Sequence, residues 1–234
     1  MQLTLPRAQE RCLCSRMRAL EILSCIVLLS PAGNAAPKPH AVALGRWTTI
    51  SYRDQDSEAT LLQLKIRPLY VDGRTKEFTI GASHDVTERT FVVQRIYRLN
   101  DSLPQQTGPP RWQWQRGGWL LVDRVSGKVQ PIALPEFDPD SSAANWFRDY
   151  AAYCGVSDDG GKLVVVIMQI GRRKPLLKKA FSDANDSQHA CTAPVWERNP
   201  VRVTFEPKLD QKLTFAVRSR AVDAIAPEES EGGE

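Results

Sequence analysis

Five basic side chains lie close together in the stretch GRRKPLLKK, with no acidic residue among them: Arg172, Arg173, Lys174, Lys178 and Lys179. Cations grouped in this way can bind an anionic surface, such as phosphate headgroups, an acidic polysaccharide or an acidic protein. The strand pattern LLKKAF sends Lys178 and Lys179 to opposite faces, and exposed lysines also protect the edge of a β-sheet. The pattern therefore favours a solvated hairpin end, with an anionic-surface site over residues 172–179 as the alternative.

Three tryptophans form a second candidate binding site: Trp112, Trp114 and Trp119. The alternation in RWQWQ places Trp112 and Trp114 on one face of a strand and the polar residues between them on the other. A row of aromatic rings on a β-sheet can stack on sugar rings, whereas most tryptophans pack in cores. Tryptophan's usual behaviour favours core packing for these residues, and a sugar-binding face is the alternative.

Groups for acid–base catalysis are present but poorly arranged. Asp158 and Asp159 are adjacent in the turn VSDDGG, and turn formation explains them better than a catalytic pair does. His84 precedes Asp85, but neighbours in sequence rarely act as a base and its orienting carboxylate, and there is no G-x-S-x-G nucleophile motif. A hydrolase that combines Asp158 or His84 with a distant carboxylate is the rival interpretation.

Metal ligands are too few at any one place in the sequence. Asp54, Asp56 and Glu58 alternate as calcium ligands do, but their loop lacks the glycine and the later glutamate of an EF-hand. His189 and Cys191 could begin a zinc site, which would need two further ligands. We therefore predict no metal and no other cofactor.

Residues 1–35 have the parts of a secretory signal peptide. Arg18 supplies positive charge, residues 22–29 form a short apolar run, and small residues at 33–35 fit a signal-peptidase site. Met17 is an alternative start, because the first sixteen residues fit this pattern poorly. The apolar run is shorter than the roughly 20 residues that span a bilayer, so we predict no permanent membrane span. A secreted or periplasmic location is expected.

Export determines how the cysteines are interpreted. Three of the five cysteines would leave with the signal peptide, so only Cys154 and Cys191 would remain. In an oxidising compartment the simplest state for such a pair is one disulfide, worth up to about 4 kcal/mol by the chain-entropy model. The alternative, in which Cys154 is a nucleophile, lacks any neighbouring group that would lower a thiol pKa.

Length and charge limit the class of protein. The 234 residues suit one domain, and the net charge of +4 is partly carried by the signal peptide. Residues 1–35 hold four arginines and two glutamates, so the remainder has a net charge of +2. Nucleic-acid-binding domains usually carry a strongly basic stripe and a high pI. We therefore expect no nucleic-acid partner.

After residue 40, short β-branched and aromatic runs alternate with turn signals such as Asp72-Gly73. This pattern predicts one mainly β domain over residues 36–222, an antiparallel meander forming a sandwich, a barrel or a propeller-like curved sheet. Gly117-Gly118 is interpreted as a break between the strands RWQWQ and WLLVD. The run KLVVVIMQI is apolar at successive positions, which predicts a central strand buried on both faces.

Two segments depart from the strand pattern. Residues 140–152 are predicted to form one short α-helix, because Asp140 or Ser141 can cap it and Gly155 follows its end. Residues 223–234 are acidic, contain little to bury, and are predicted to be disordered.

Together these features predict an exported, non-catalytic binding or structural module of the cell envelope or extracellular space. The alternatives are the secreted hydrolase and the anionic-surface module described above. The partner is not identified by the sequence; an anionic surface, a polysaccharide or an envelope protein would each fit. Asn100 and Asn185 begin glycosylation sequons, which matter only in a host that glycosylates.

Overall fold

Strands make up most of the chain that the structure describes. The computed structural model describes residues 39–53, 61–105, 107–157, 160–183, 192–208, 211–219 and 221–225. The strands in these ranges are β1 (Val42–Leu44), β2 (Thr48–Arg53), β3 (Leu61–Val71), β4 (Arg74–Asp85), β5 (Thr90–Asn100), β6 (Trp112–Asp123), β7 (Val129–Pro131), β8 (Asn145–Phe147), β9 (Tyr150–Val156), β10 (Lys162–Gln169), β11 (Leu177–Asp183), β12 (Val195–Arg198), β13 (Val201–Lys208), β14 (Gln211–Arg218) and β15 (Ala221–Ile225). The predicted mainly β class is confirmed.

The strands form three antiparallel sheets, and among the described strands none of these sheets closes into a barrel. Sheet A has the order β1-β3-β4-β5-β6-β7, and β2 also pairs with β3. Sheet B has the order β11-β10-β9-β8, and sheet C has the order β12-β13-β14-β15. Of the predicted alternatives, a sandwich-like arrangement is consistent with these open sheets.

Sheet B lies between the other two sheets, and β10 shows this most clearly. Val164, Val166 and Met168 pack on one side, while Val165 and Ile167 pack on the other. The first set shares a core with Val92 and Trp119 of sheet A. The second set shares a core with residues of sheet C, namely Val203, Phe205, Phe215 and Val217. The predicted central strand, buried on both faces, is confirmed.

The predicted helix over residues 140–152 is wrong, because this segment contains β8 and the start of β9. Arg148 has a φ of 53°, a left-handed conformation that interrupts any right-handed helix at the turn between these strands. Ala151 and Ala152 are both buried but belong to different cores. Packing on both faces of sheet B therefore overrides the helix propensity of the alanines.

Two bulges bend sheet A on either side of Gln94. In the pairing of β4 with β5 the register shifts between Ile80 and His84, and in the pairing of β5 with β6 it shifts opposite Gly117-Gly118. Bulges add residues to one strand and bend it. The prediction that Gly117-Gly118 separates two strands is therefore wrong, since β6 continues through both glycines.

The bend changes what one face of sheet A packs against. On β5, Val92 and Ile96 lie on the same face, since their positions differ by an even number. Val92 belongs to the core shared with sheet B, whereas Ile96 packs with Ile66 and Ile80 inside sheet A. The two sheets therefore separate near Gln94.

The chain ends lie largely beyond the described ranges. The predicted signal peptide, residues 1–35, is outside them, as are residues 226–234 of the predicted tail. The first three residues of that tail, 223–225, belong to β15 in sheet C. Within the described ranges, no helix has the length and apolar character needed to span a membrane.

Candidate functional site

A cleft of about 500 Å³ opens where sheet A separates from sheet B. Its walls come from the bulged part of β4, from β5 and β6, and from the segment that leads into β8. The lining residues are Ile80, Gly81, Ala82, Ser83, His84, Gln94, Arg116, Trp119, Pro139, Ser142, Ala143, Ala144, Asn145 and Trp146. No aspartate or glutamate belongs to this set, so its only formally charged member is Arg116.

Two tryptophans of the cleft lining, Trp119 and Trp146, meet edge to face with their ring centroids 5.2 Å apart. They are 8% and 7% exposed, and neither indole N–H has a hydrogen-bond partner among the residues that the structure describes. A buried donor without a partner costs about 1–3 kcal/mol. The walls of the cleft therefore contain two donors that an acceptor would satisfy.

Arg116 is a half-buried cation in the wall of the cleft. Its Nη1 donates to the Asp140 carbonyl oxygen at 3.2 Å, and its guanidinium lies 5.2 Å from the centre of the Tyr52 ring. Its Nε has no hydrogen-bond partner in the described ranges of the chain. Within the part of the chain that the structure describes, no carboxylate lies within ion-pair distance of Arg116.

His84 contributes a third polar group, and its ring stacks on Trp146 with centroids 6.4 Å apart. Its Nε2 lies 2.9 Å from the carbonyl oxygen of Arg148. Because a carbonyl only accepts hydrogen bonds, Nε2 carries the proton in this contact. Asp85, the predicted orienting carboxylate, instead accepts a hydrogen bond from Arg124 at 2.6 Å. The structure thus does not bring His84 and Asp85 together, and Asp158 lies outside the described residues.

The three tryptophans singled out in the sequence lie in different environments. Trp119 is buried beside the cleft, as core packing predicts. Trp114 is half-buried against Phe78, with ring centroids 5.3 Å apart and the Arg98 guanidinium 4.5 Å from its ring. Trp112 is 60% exposed at the start of β6. These residues therefore form no single row of exposed rings.

The basic run is divided by the fold. Arg172, Arg173 and Lys174 are exposed in the turn between β10 and β11. Lys178 pairs in register with Val166 and forms an ion pair with Glu136, whereas Lys179 pairs with Val165. Since Val166 and Val165 face different cores, Lys178 and Lys179 lie on opposite faces, as predicted.

Arg148 joins this basic turn from another part of the sequence. The neighbouring Asp149 accepts hydrogen bonds from the Ile170 amide at 2.9 Å and from the Gln169 side chain at 2.8 Å, which places the β8–β9 turn beside the β10–β11 turn. Burial raises the pKa of Tyr150, and the positive charges of Arg148 and Arg172 oppose that shift. The sequence analysis missed Arg148 because it placed this residue in a helix.

The predicted disulfide has one end in the described structure. Cys154 is buried on β9, in the core between sheets B and C, whereas Cys191 lies outside the described residues. The Cys154–Cys191 disulfide therefore stays a prediction. Among the described residues, no three His, Cys, Asp or Glu side chains are grouped so that they could hold a metal ion.

Arg116 and Trp146 were missed by the sequence analysis, although glycines near the cleft gave a usable signal. Glycine inside a strand pattern often marks a bulge, and Gly81 and Gly117-Gly118 do so here. The chain matches no protein-family model, no curated protein and no solved structure.

Proposed function

We propose that the chain is an exported, non-catalytic binding module whose ligand occupies the cleft beside Trp119 and Trp146. The observation that carries this proposal is a pair of buried indole N–H groups for which the described residues supply no acceptor, in a cleft whose described lining contains no acidic residue. Clefts of this size, with apolar walls and a few convergent polar groups, are the usual form of small-molecule sites. The ligand is a small organic molecule rich in hydrogen-bond acceptors.

The polar groups of the cleft suit binding better than hydrolysis. Hydrolysis by acid–base catalysis needs a base whose orientation and protonation are set by a partner. The Nε2 of His84 is used by the Arg148 carbonyl, and the lining has no carboxylate to orient the ring. Donors predominate instead: Arg116 and the two indoles lie in the walls of the cleft, and because their unpartnered N–H groups are enclosed, a ligand acceptor reaches them only when neighbouring side chains move.

Indole NMR signals test the proposal directly. The full chain has six tryptophans and therefore six indole N–H signals, of which those of Trp119 and Trp146 are assigned with Trp→Phe variants. Because the two N–H groups are enclosed, we expect binding to move the side chains around them. The compounds to be titrated are neutral sugars, sugar acids, dicarboxylates and amino acids.

We expect at least one class of compound to shift the Trp119 and Trp146 signals while that of exposed Trp112 stays in place. Equal movement of all six signals would indicate a nonspecific effect and contradict the proposal. The absence of any shift across the whole panel would also contradict it.

Export and the Cys154–Cys191 disulfide are part of the same proposal. They are tested by the intact mass of the protein from its native host, measured with and without reduction and thiol alkylation. We expect a chain that starts near Ala36 and is alkylated only after reduction. A full-length chain with freely alkylated thiols would contradict both parts.

A second candidate function is favoured by the convergence of two basic turns: attachment to an anionic bilayer. Arg148 is exposed beside the turn that holds Arg172, Arg173 and Lys174. Half-exposed aromatic rings adjoin it, since Phe147 stacks on Trp196 with centroids 5.6 Å apart. Cations attract anionic headgroups, and tryptophan is common at membrane interfaces.

Co-sedimentation with vesicles tests this second function. We expect binding to vesicles of phosphatidylglycerol and phosphatidylcholine, but not of phosphatidylcholine alone, with weaker binding as salt rises. Replacing residues 172–174 with alanine should abolish it. Replacing three exposed cations of sheet A, Lys65, Arg74 and Lys76, removes the same charge and should leave binding intact. Equal loss in both variants, or binding only to a soluble acidic polysaccharide, would contradict bilayer attachment.

A further inference from the structure

We propose that the ligand of the cleft carries a carboxylate and that Arg116 binds it. This inference rests on the proposed function and names its ligand class. It begins from charge: among the described residues of the lining, Arg116 is the only one with a formal charge, and the two carboxylates of strand β4 are engaged elsewhere. Asp85 is bound to Arg124, and Glu77 to Arg95.

The arginines of sheet A show what an anionic partner does for such a side chain. Arg95 is half-buried on the opposite face of β5, and its Nε donates to Glu77 Oε2 at 2.8 Å. Arg89 holds Asp123 through both Nε and Nη2. Among the residues that the structure describes, the Nε of Arg116 has no such acceptor, although this residue is also half-buried; the Nε of Arg67 in β3 is in the same situation but lies outside the cleft lining. A buried or half-buried charge is costly unless it is paired, so a ligand anion would supply what the chain does not.

The contacts of Arg116 fix the plane of its guanidinium before any ligand arrives. Nη1 is held by the Asp140 carbonyl oxygen, and the Tyr52 ring lies against the group. Tyr52 is itself held, because its hydroxyl donates to Asp140 Oδ1 at 2.7 Å. A planar, pre-oriented guanidinium matches the two oxygens of a carboxylate better than a single hydroxyl.

The rest of the lining fits the organic part of such a ligand. Ile80 and the rings of Trp119 and Trp146 provide apolar surface, and the unpartnered indole N–H groups add donors. None of the described residues of the lining is a carboxylate that would repel the anion. The geometry therefore selects an organic acid over a neutral analogue of the same shape.

Matched pairs of compounds test this inference: D-glucuronate with D-glucose, benzoate with benzyl alcohol, and succinate with succinamide. Each pair is titrated into the full chain while the indole signals of Trp119 and Trp146 are followed, with sodium chloride added to equal ionic strength. We expect the acid of at least one pair to shift both signals at a concentration where its neutral partner does not.

Variants of Arg116 provide the second part of the test. Arg116→Gln should weaken the acid by about ten- to one-hundredfold, which corresponds to losing hydrogen bonds to a charged group. Arg116→Lys keeps the positive charge but loses the planar guanidinium that can bind both carboxylate oxygens. Its affinity for the acid should therefore lie between those of the wild type and Arg116→Gln. Arg98→Gln removes a cation from the same face of sheet A outside the cleft lining and should leave binding unchanged. The indole signals of residues outside the cleft show whether each variant is folded.

The outcomes separate this inference from the proposed function. If acid and neutral partner shift the cleft indoles equally, the site binds a ligand but the carboxylate inference is wrong. Unchanged affinity in a folded Arg116→Gln variant would overturn it as well, as would no response to any of the three acids. The proposed function itself fails if the whole wider panel leaves Trp119 and Trp146 unmoved, or if every compound that moves them moves all six indole signals equally.

Discussion

Gly155 lies on β9 at a point where the backbone of Glu136 crosses it. A Cβ on Gly155 would lie 2.9 Å from the Glu136 carbonyl carbon and closer still to its oxygen, whereas real Cβ contacts below 3.0 Å are essentially never seen. Gly155→Ala must therefore push the crossing segment away. That segment is anchored by Tyr153, whose hydroxyl donates to the Pro135 carbonyl at 2.7 Å, and by the ion pair of Glu136 with Lys178.

The cost of this substitution combines two effects. Forcing an extra methyl group into a packed site typically costs about 1–3 kcal/mol. Losing the buried hydrogen bond from Tyr153 adds about 1 kcal/mol. We therefore expect Gly155→Ala to lower the free energy of unfolding by about 2–4 kcal/mol. For a domain of this size each kcal/mol shifts Tm by about 2–4 °C, so Tm should fall by about 4–16 °C.

Thermal and urea unfolding followed by circular dichroism measure this effect, and Gly118→Ala is the matched control. Gly118 is exposed, has no positive φ, and has no atom within 4 Å of an added Cβ. Its substitution should leave Tm unchanged or raise it slightly, because alanine loses less backbone entropy on folding. If Gly155→Ala has the same Tm as Gly118→Ala, the crossing of β9 by the segment at Glu136 is wrong.

Three further predictions concern charge and core packing. The Arg89 guanidinium holds the pKa of Asp123 well below its ordinary value, so the carboxylate stabilises the fold above about pH 4. The difference in urea midpoint between wild type and Asp123→Asn should therefore shrink from pH 5 to pH 2. A difference that stays constant over this range would contradict the prediction. Burial raises the pKa of Tyr153; Tyr153→Phe should cost about 1 kcal/mol in urea unfolding, and an ultraviolet titration in which this tyrosine ionises near pH 10 in the folded chain would argue against its burial. Ile167→Ala should lower the free energy of unfolding by about 2–5 kcal/mol, because Ile167 is fully buried. Val195→Ala changes a side chain that is 61% exposed and should cost little. Equal urea midpoints for the two variants would argue against the core between sheets B and C.

Local patterns were sufficient where a strand or turn depends on its own residues. The Asp72-Gly73 turn has positive φ at both residues, 52° and 73°, as the favoured two-residue hairpin turn requires. The opposite placement of Lys178 and Lys179 follows from the alternation of any strand. The unbroken apolar run of β10 correctly predicted burial on both faces. In each case the information lies in consecutive residues.

The helix prediction failed because the deciding information lies in other segments. YAAYC is apolar at successive positions, a pattern typical both of a buried helix segment and of a strand covered on both faces. Only the pairing of β9 with β10, from Tyr150 opposite Gln169 to Val156 opposite Leu163, decides between them. The chain makes a hairpin turn at Arg148, between β8 and β9. Arginine rarely adopts the left-handed conformation that it has here, so the residue type does not reveal the turn.

The cleft could not be predicted for a related reason. Its walls come from β4, β5, β6 and the segment before β8, which are brought together by two bulges. A bulge is a property of two strands in register, so the sequence of one strand signals it only through a glycine. Gly117-Gly118 was interpreted as a break between two strands, and this interpretation hid the continuity of β6 from Arg116 to Trp119.

The position of the cleft follows from topology, but its chemistry does not. The face of β5 that carries Val92 and Ile96 changes its packing partner along its length, so a gap near Gln94 is expected whatever side chains line it. If the cleft were only a gap in the packing and bound nothing, apolar side chains would line it at the lowest cost in stability, because each buried donor without a partner costs free energy. Here the lining instead holds a guanidinium without an anion and two indoles without acceptors, as far as the described residues go. The choice of donors at a site where apolar residues would be more stable is what supports binding, and the absence of acids among them is what supports an anionic ligand.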